Sequence, residues 1–177
     1  MAEEQKGKKN TGAGLRGQSA GETAISTVGA AGNNLRYRGY NVQDLAADST
    51  FYETAYMILK GELPTRQQLD AWKAKLAAQR GLPAALREVL ERIPADAHPM
   101  DVLRTGCSFL GNIEPEGDFS NEQNVADRML AVFPSMLLYW YRYSHHGVRV
   151  ETETVDDSIG AQFLHMLHDE EPDELSA

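Results

Sequence analysis

Apolar residues recur every three or four positions along most of the chain, which is the spacing of one face of an α-helix. The longest such stretch runs from about residue 121 to 143 and contains Pro134, which removes a backbone hydrogen bond and predicts a kink. The other apolar stripes are Leu69, Trp72 and Leu76; Leu86, Val89, Leu90 and Ile93; Leu103, Cys107 and Leu110; and Ile159, Phe163 and Leu167. The pattern predicts amphipathic helices from about residue 50 to 168.

Helix start signals precede several of these stripes. Thr50 and Thr65 are each followed three positions later by a glutamate or glutamine, the spacing of a capping box that satisfies otherwise unpaired N–H groups. An aspartate, Asp156 or Asp157, is expected to cap the last helix. Two prolines suit a first helical turn, where no backbone N–H is needed: Pro83 and Pro99.

The N-terminal region has a different pattern. Residues 1–13 are rich in Lys, Glu, Gly and Asn without apolar periodicity, so we predict a disordered tail there. From about residue 24 to 41, short apolar runs flank the turn signal Gly32-Asn33-Asn34, which predicts a small β-hairpin of two strands. The sequence therefore predicts an all-α domain over residues 14–175 with a small hairpin near its N-terminal end.

Composition and charge restrict the classes of function. With 177 residues, 42% of them hydrophobic and 24% charged, the chain suits one domain or a large portion of a two-domain enzyme. Its 26 acidic and 17 basic residues give a net charge of -9, which opposes binding to nucleic acid or to anionic membranes. A single cysteine excludes an internal disulfide, and no apolar run reaches the roughly 18 residues of a spanning helix. We therefore expect a cytoplasmic protein.

Three motifs with a possible chemical role have a more ordinary explanation. Residues 12–17 match the pattern G-x-G-x-x-G, but no apolar strand precedes them, so a flexible segment is favoured over a dinucleotide site. His165 and His168 share a helix face without an obvious third ligand, which favours packing or surface roles over metal binding. His145 and His146 follow an aromatic run that is typical of helix packing rather than of a base-stacking platform.

Cys107 and four arginines remain as candidate reactive or binding residues. Cys107 lies on an apolar stripe with no adjacent base to form its thiolate, so we predict a buried structural thiol rather than a nucleophile. Arginine forks can bind carboxylates through two parallel hydrogen bonds, although most arginines form solvated salt bridges. The arginines considered as carboxylate ligands are Arg36, Arg38, Arg66 and Arg104. The residues alone thus predict a helical domain without an assigned reaction.

Several ordered sequence blocks resemble citrate synthases and their 2-methylcitrate synthase relatives. The blocks shared with the whole family run from Gly21 to Gly29, Leu35 to Tyr40, Leu59 to Thr65 and His98 to Gly106. Further blocks are similar to the 2-methylcitrate branch in particular and run from Arg80 to Pro83, Leu137 to His145 and Asp156 to His168. The resemblance spans residues 14 to 175 and indicates the N-terminal part of a multi-helical citrate-synthase-like large domain.

The resemblance implies an acyltransferase that forms a carbon–carbon bond between oxaloacetate and an acyl-CoA, and that works as an intertwined homodimer. In such an enzyme a carboxylate removes an α-proton from the thioester, one histidine stabilises the enol, another polarises the ketone, and the thioester is then hydrolysed. The acyl-CoA is a substrate, and neither a cofactor nor a metal is implied. Propionyl-CoA and acetyl-CoA stay open alternatives, because one methylene is worth only about 1–3 kcal/mol.

None of the family's catalytic residues can be assigned to this chain. Its sequence lacks the Gly-Pro-x-His-Gly-Gly-Ala-Asn block, and none of its five histidines matches a catalytic position. We therefore expect the small catalytic domain to be absent, the isolated chain to be inactive, and its exposed apolar faces to favour self-association. The alternative is a naturally short, non-catalytic binding or assembly module built on the same scaffold.

Two positions are informative within the matched stretch. The resemblance associates Arg66 with oxaloacetate contact, and a bidentate guanidinium fork suits a dicarboxylate. Asp169 stands where the family usually has a glycine that ends a helix in the left-handed conformation. An aspartate there is unfavourable but tolerable.

Overall fold

The computed structural model describes residues 21–28 and 35–170. The predicted mainly helical fold with a small antiparallel sheet is confirmed. The strands are β1 (Ser26–Thr27), β2 (Arg36–Tyr37) and β3 (Tyr40–Asn41), and the helices are α1 (Val42–Asp48), α2 (Phe51–Lys60), α3 (Arg66–Ala77), α4 (Ala84–Leu90), α5 (Pro99–Ile113), α6 (Glu122–His146) and α7 (Ile159–His168). A short 3₁₀ turn, Phe119–Asn121, precedes α6. The helices thus account for most of the predicted span.

The sheet has three strands in the order β1-β2-β3, where the sequence predicted two. Its pairs are antiparallel, with Ser26 opposite Tyr37 in the first pair. The missed turn joins β2 to β3 through Arg38 and Gly39, whose φ angles of 49° and 92° both lie in the left-handed region. Arginine rarely adopts this conformation, so the sequence carried no clear signal for the turn. The predicted turn at residues 32–34 lies outside the described residues.

Both predicted capping boxes are confirmed. The N–H of Glu53 donates to Thr50 Oγ1 over 3.2 Å, and the N–H of Thr50 donates to the Glu53 carboxylate over 2.8 Å. Thr65 makes the same reciprocal pair with Gln68, over 3.3 and 2.8 Å. Pro99 occupies the first turn of α5 as predicted, whereas Pro83 is the N-cap residue of α4. Local sequence signals therefore predict where most of these helices begin.

Two predicted helix boundaries were wrong. Helices begin at Val42 rather than near residue 50, because the Asn41 side chain accepts a hydrogen bond from the Gln43 N–H over 3.0 Å and caps α1. Neither Asp156 nor Asp157 caps the last helix. Ser158 does so, since its hydroxyl accepts from the Ala161 N–H over 2.8 Å.

The core is built around α6, which packs against α3, α4, α5 and α7. Its larger apolar cluster includes Leu86, Leu90, Val102, Met136 and Met166, all buried. The smaller cluster joins α2, α3 and α6 through Tyr52, Leu69, Trp72, Leu76 and Ala131. Burying each large side chain stabilises the fold by about 1.5–3 kcal/mol. The apolar stripes read from the sequence therefore form the contacts between helices.

Helix α5 approaches α6 closely at Gly106. A Cβ atom at this position would lie 2.6 Å from the sulfur of Met136 and 3.7 Å from a Leu90 methyl group. Gly111, on the same helix, is exposed, and a Cβ there would meet no atom of the described residues within 4 Å. The absence of a side chain at Gly106 thus sets the distance between the two helices.

The carboxylate of Asp127 in α6 is fully buried where α2, α3 and α6 meet. It accepts hydrogen bonds from Trp72 Nε1 over 2.9 Å and from Lys75 Nζ over 2.6 Å, and Lys60 Nζ lies 3.4 Å away. Burial alone would raise the pKa of Asp127, but the hydrogen bonds from Lys75 and Trp72 and the charge of Lys60 hold it below its ordinary value. Asp127 therefore joins α2, α3 and α6 as an ionised group.

A second polar cluster lies at the end of α4. Glu91 accepts two hydrogen bonds from Arg149, over 2.7 and 2.8 Å, and one from the Tyr139 hydroxyl over 2.7 Å. The Arg149 and Tyr139 hydrogen bonds lower the pKa of Glu91 to about 2. Burial together with the Glu91 carboxylate raises the pKa of Tyr139 to about 12. The cluster fastens the segment after α6 to the end of α4.

The left-handed helix end predicted at Asp169 is confirmed. Asp169 ends α7 with φ 64° and ψ 31°, and its N–H donates to the His165 carbonyl over 2.7 Å. Arg142 of α6 donates to the Leu167 carbonyl over 3.0 Å and to the Asp169 carboxylate over 3.2 Å. This pairing offsets part of the cost of the left-handed backbone.

Within the described residues, no helix is both long and apolar enough to cross a membrane.

Candidate functional site

Arg66 lies in a groove of about 590 Å³ where the first turns of three helices meet. It is the first residue of α3, directly after the capping residue Thr65, and 85% of its side chain is exposed. The lining residues come from the first turn of α2, from α3 and from the start of α7: Thr50, Phe51, Tyr52, Glu53, Arg66, Leu69, Asp70, Lys73, Asp157, Ser158, Ile159 and Gly160. We call this the Arg66 groove.

Two cations of the Arg66 groove are paired with carboxylates of the same chain. Arg66 Nε lies 3.1 Å from Asp70, one turn further along α3, and Lys73 Nζ lies 3.4 Å from Asp157. The side chains of Asp70 and Asp157 are 54% and 100% exposed, so both pairs are wet and contribute little to stability. A ligand carboxylate can therefore replace Asp70 at the guanidinium at small cost.

Glu53 adds a third carboxylate to the groove. Its pKa is lowered mainly by the hydrogen bonds from the backbone and hydroxyl of Thr50, with a smaller effect from the charge of Arg66. Glu53 is thus held as part of the capping box and points its acceptors at the helix end. Of the two cations of the groove, Arg66 is the more exposed, at 85% against 29% for Lys73.

Asp157 and Ser158 form one wall of the groove, at the end of a segment, residues 152–158, that has no regular secondary structure. Asp156 of this segment accepts from His165 Nδ1, which lies 3.1 Å from both carboxylate oxygens. Burial opposes ionisation of Asp156, but the Thr154 hydroxyl and His165 lower its pKa below the ordinary value. A smaller hollow of about 310 Å³ continues past this wall and shares Arg66, Asp70 and Lys73.

The other arginines considered from the sequence do not join Arg66. Arg36 donates to the Gly39 carbonyl over 3.3 Å, and Arg38 donates to the Ile58 carbonyl over 2.9 Å. Arg104 pairs with Asp101 of its own helix over 3.1 Å. None of the three lines the Arg66 groove. Arg36 thus binds the turn of the sheet, Arg38 binds the C-terminal part of α2, and Arg104 lies on the surface of α5.

The remaining candidates lie elsewhere. Cys107 is half-buried rather than buried, and it lines a separate groove of about 910 Å³ between the ends of α3 and α5 and the start of α6. His145 and His146 pack on the ring of Tyr141, and His168 is exposed. Across residues 21–28 and 35–170, no group of three or more potential ligands could hold a metal ion. The segment of residues 12–17 lies outside the described residues.

Comparisons with known proteins identify the family. A sequence model described as "Citrate synthase, C-terminal domain" matches residues 14–177. The chain belongs to the citrate synthase family. It is 67% identical over 168 residues to the 2-methylcitrate synthase of Shewanella oneidensis, and this match covers 95% of the chain but 45% of the relative. The chain therefore spans about half the length of the curated relatives it matches.

Solved citrate synthases have the same fold. The enzyme of Thermotoga maritima superposes with a TM-score of 0.74 at 32% identity, over 93% of this chain and 43% of that one. The citrate synthase of Thermoplasma acidophilum, solved in a ternary complex with carboxymethyl coenzyme A and oxaloacetate, superposes with a TM-score of 0.78 at 20% identity. The latter match covers 90% of this chain and 42% of that one, and it shows the fold alone.

Sequence reasoning did not single out Arg80 beyond its place in a family block. The structure buries Arg80 almost completely, at 2% exposure, beneath the wall of the Arg66 groove. Arginine is rarely buried, so nothing in the local pattern after α3 indicated that Arg80 would be. Its partners lie more than 70 positions away along the chain, apart from Tyr52.

Proposed function

We propose that this chain forms the N-terminal portion of a 2-methylcitrate synthase that condenses propionyl-CoA with oxaloacetate and hydrolyses the thioester. The observation that carries the proposal is the 67% identity to the Shewanella oneidensis enzyme of that name. Acetyl-CoA remains the substrate to be compared, because citrate synthases of other organisms also match the chain. The enzyme would serve propionate metabolism in the cytoplasm.

Within this function, Arg66 would bind a carboxylate of oxaloacetate. Its exposed guanidinium presents a planar fork of N–H donors, which matches carboxylate geometry. The first turns of α2 and α7 face the same groove, and their N–H dipoles favour negative charge. The competing carboxylate, Asp70, is more than half exposed and can turn to water when the ligand binds.

The isolated 177-residue chain is proposed to be inactive. The condensation needs a carboxylate base and two imidazole hydrogen-bond donors, which we assign to the part of the longer enzyme that this chain does not cover. In the part of the chain that the structure describes, the only histidine bonded to a carboxylate is His165, and it lies behind the wall of the Arg66 groove. This arrangement suits support of the wall rather than proton transfer.

The test measures thiol release from propionyl-CoA and from acetyl-CoA in the presence of oxaloacetate. The product of the uninterrupted natural reading frame should be active and prefer propionyl-CoA, whereas the purified 177-residue chain should not exceed the uncatalysed rate. Turnover by the short chain, free of longer protein, would contradict the assignment of the chemistry. A stop codon directly after Ala177 would favour the binding or assembly module instead.

The role of Arg66 is tested in the active longer enzyme by Arg66→Gln, with Arg104→Gln as the matched control. Both arginines are exposed on a helix, at 85% and 78%, and each lies 3.1 Å from an aspartate on its own helix. Arg66→Gln should raise the KM for oxaloacetate about 10- to 100-fold, which corresponds to the loss of one charge-assisted hydrogen-bonded pair. The KM for the acyl-CoA should change little, and Arg104→Gln should change neither constant.

Assembly is proposed to be homodimeric. Large apolar side chains are exposed on the described surface, including Met100 at 64% and Phe119 at 86%. Covering such groups against a second copy would remove them from water. Sedimentation at micromolar concentration should therefore show dimers or larger species, and compact monomers alone would contradict the proposal.

A further inference from the structure

Arg80 is a buried cation beneath the Arg66 groove. It follows α3, is 2% exposed, and its guanidinium reaches two elements that line the groove. Nη1 donates to the carbonyls of Thr154 over 3.0 Å and Asp156 over 2.8 Å, and Nη2 donates to the Tyr52 hydroxyl over 3.4 Å. One side chain thus connects α2 with the irregular segment of residues 152–158.

The partners of Arg80 make a purely stabilising role a poor explanation. Among residues 21–28 and 35–170, no carboxylate lies within ion-pair distance of its guanidinium. Two carbonyls and a hydroxyl bind it directly, and the Asp156 carboxylate interacts with its charge only at longer range. Removing a guanidinium from water is strongly unfavourable, and an apolar side chain of similar volume would often stabilise such a site at least as well. We therefore interpret the buried Arg80 as a residue that holds the backbone in one conformation, rather than one that adds to the stability of the fold.

The backbone that Arg80 binds leads directly into the wall that faces Arg66, which is formed by Asp157 and Ser158. The Asp156 carbonyl directly precedes Asp157, which pairs with Lys73 over 3.4 Å, and Ser158, which caps α7. The ring of Tyr52 lies beside the same lysine, with Lys73 Nζ 5.5 Å from its centroid. A shift of the Asp156 carbonyl would move Asp157 and the first turn of α7 relative to the Arg66 guanidinium.

We propose that Arg80 is a positioning residue for oxaloacetate binding: it holds the segment of residues 154–158 and Tyr52 at the distance from Arg66 that the dicarboxylate requires. This inference rests on the proposed function of Arg66. Arg80 itself, being buried, touches no substrate. It acts through the wall of the groove. A change far from the reacting atoms that misplaces a binding group by about 1 Å can reduce activity by as much as 100-fold.

The experiment compares Arg80→Met and Arg80→Lys with Arg87→Met in the active longer enzyme. Arg87 is the matched control, because it also donates to a backbone carbonyl, that of Leu82 over 2.9 Å, but lines neither the Arg66 groove nor the hollow beside it. Arg80→Met should raise the KM for oxaloacetate about tenfold and leave the KM for the acyl-CoA within about twofold. Arg80→Lys keeps the cation but has one nitrogen where Arg80 uses two, so its KM for oxaloacetate should lie between those of the original and of Arg80→Met.

The outcomes separate this inference from the function it rests on. If Arg66→Gln raises the oxaloacetate KM while Arg80→Met and Arg80→Lys leave it unchanged, the positioning role is wrong and the role of Arg66 stands. If Arg66→Gln has no effect, both are wrong. A fall in Tm that is equal for Arg80→Met and Arg87→Met, with unchanged KM values, would show a structural role alone. Should Arg80→Met fail to fold, Arg80→Lys decides: an oxaloacetate KM within twofold of the original overturns the inference.

Discussion

Replacing the buried carboxylate Asp127 by asparagine tests how the three helices around it are joined. The side chain keeps its size, and the amide oxygen can still accept the hydrogen bond from Trp72 Nε1, which is 2.9 Å long in the original. What is lost is the charge that Lys75 and Lys60 approach to 2.6 and 3.4 Å. The new amide N–H₂ group would also face two ammonium groups, where it finds no acceptor.

The expected loss of stability follows from these contacts. A hydrogen bond to a charged group contributes about 1.5–3 kcal/mol, and a buried donor without an acceptor costs about 1–3 kcal/mol. Lys60 and Lys75 are 25% and 38% exposed and can turn to water, so solvent screening places the lysine contribution at the lower end. We expect the free energy of unfolding to fall by about 3 kcal/mol, which for a domain of this size lowers Tm by about 6–12 °C.

Urea unfolding of the 177-residue chain at pH 7, followed by far-ultraviolet circular dichroism, measures this difference. Asp70→Asn is the control, since it removes an aspartate that is 54% exposed and should change the free energy by less than about 0.5 kcal/mol. A loss for Asp127→Asn that does not exceed the control would refute the reasoning.

The stability difference between the original chain and Asp127→Asn should also depend on pH. The pKa of Asp127 in the folded chain lies below its ordinary value of 3.8, so its contribution is complete above that pH and disappears as the pH falls through the folded pKa. The difference between the original chain and Asp127→Asn should therefore be constant above about pH 5 and shrink below about pH 4.

Three further predictions concern single positions. Gly106→Ala should lower stability by about 1 kcal/mol, because overpacking against the facing sulfur outweighs the gain in helix propensity, whereas Gly111→Ala should raise it by about 0.5–1 kcal/mol; equal signs in thermal unfolding would contradict this. Asp169→Ala should cost about 1–2 kcal/mol through the left-handed backbone and the lost Arg142 pair, and Asp169→Gly should stay within about 0.5 kcal/mol of the original. Glu91→Gln should lower Tm at pH 7, and its effect should vanish as the pH approaches the Glu91 pKa of about 2, since the contribution of a depressed carboxylate is lost in that range; a Tm difference that persists there would count against the ionised cluster.

Much of the helical framework could be predicted because its signals are local. Thr50 and Thr65 meet their capping partners three residues later, and the stripe of Leu69, Trp72 and Leu76 lies within two turns. The predictions failed where a local rule had two candidates or an unusual residue. Ser158 was passed over for the neighbouring aspartates, and Arg38 adopts a conformation that its side chain disfavours.

The polar features around the candidate site were not predictable in the same way. Asp127 meets Lys75, Trp72 and Lys60 across 52, 55 and 67 positions of sequence, so no window of a few residues contains the pairing. Arg80 reaches the Asp156 carbonyl across 76 positions. Arg66 was predicted through the family resemblance alone. The groove around it could not be predicted, because it forms only where the first turns of three helices pack together.

The central place of α6 has a consequence for how the chain acquires its structure during synthesis. Its partners α3, α4 and α5 leave the ribosome before it, but α7 follows, and the buried hydrogen bond from Gln162 to Ser135 closes over 3.0 Å only when α7 has docked. Until then Ser135 and the side of α6 around it meet water or a chaperone. Docking of one short helix thus removes from solvent a surface of the kind that makes partly folded chains prone to aggregate.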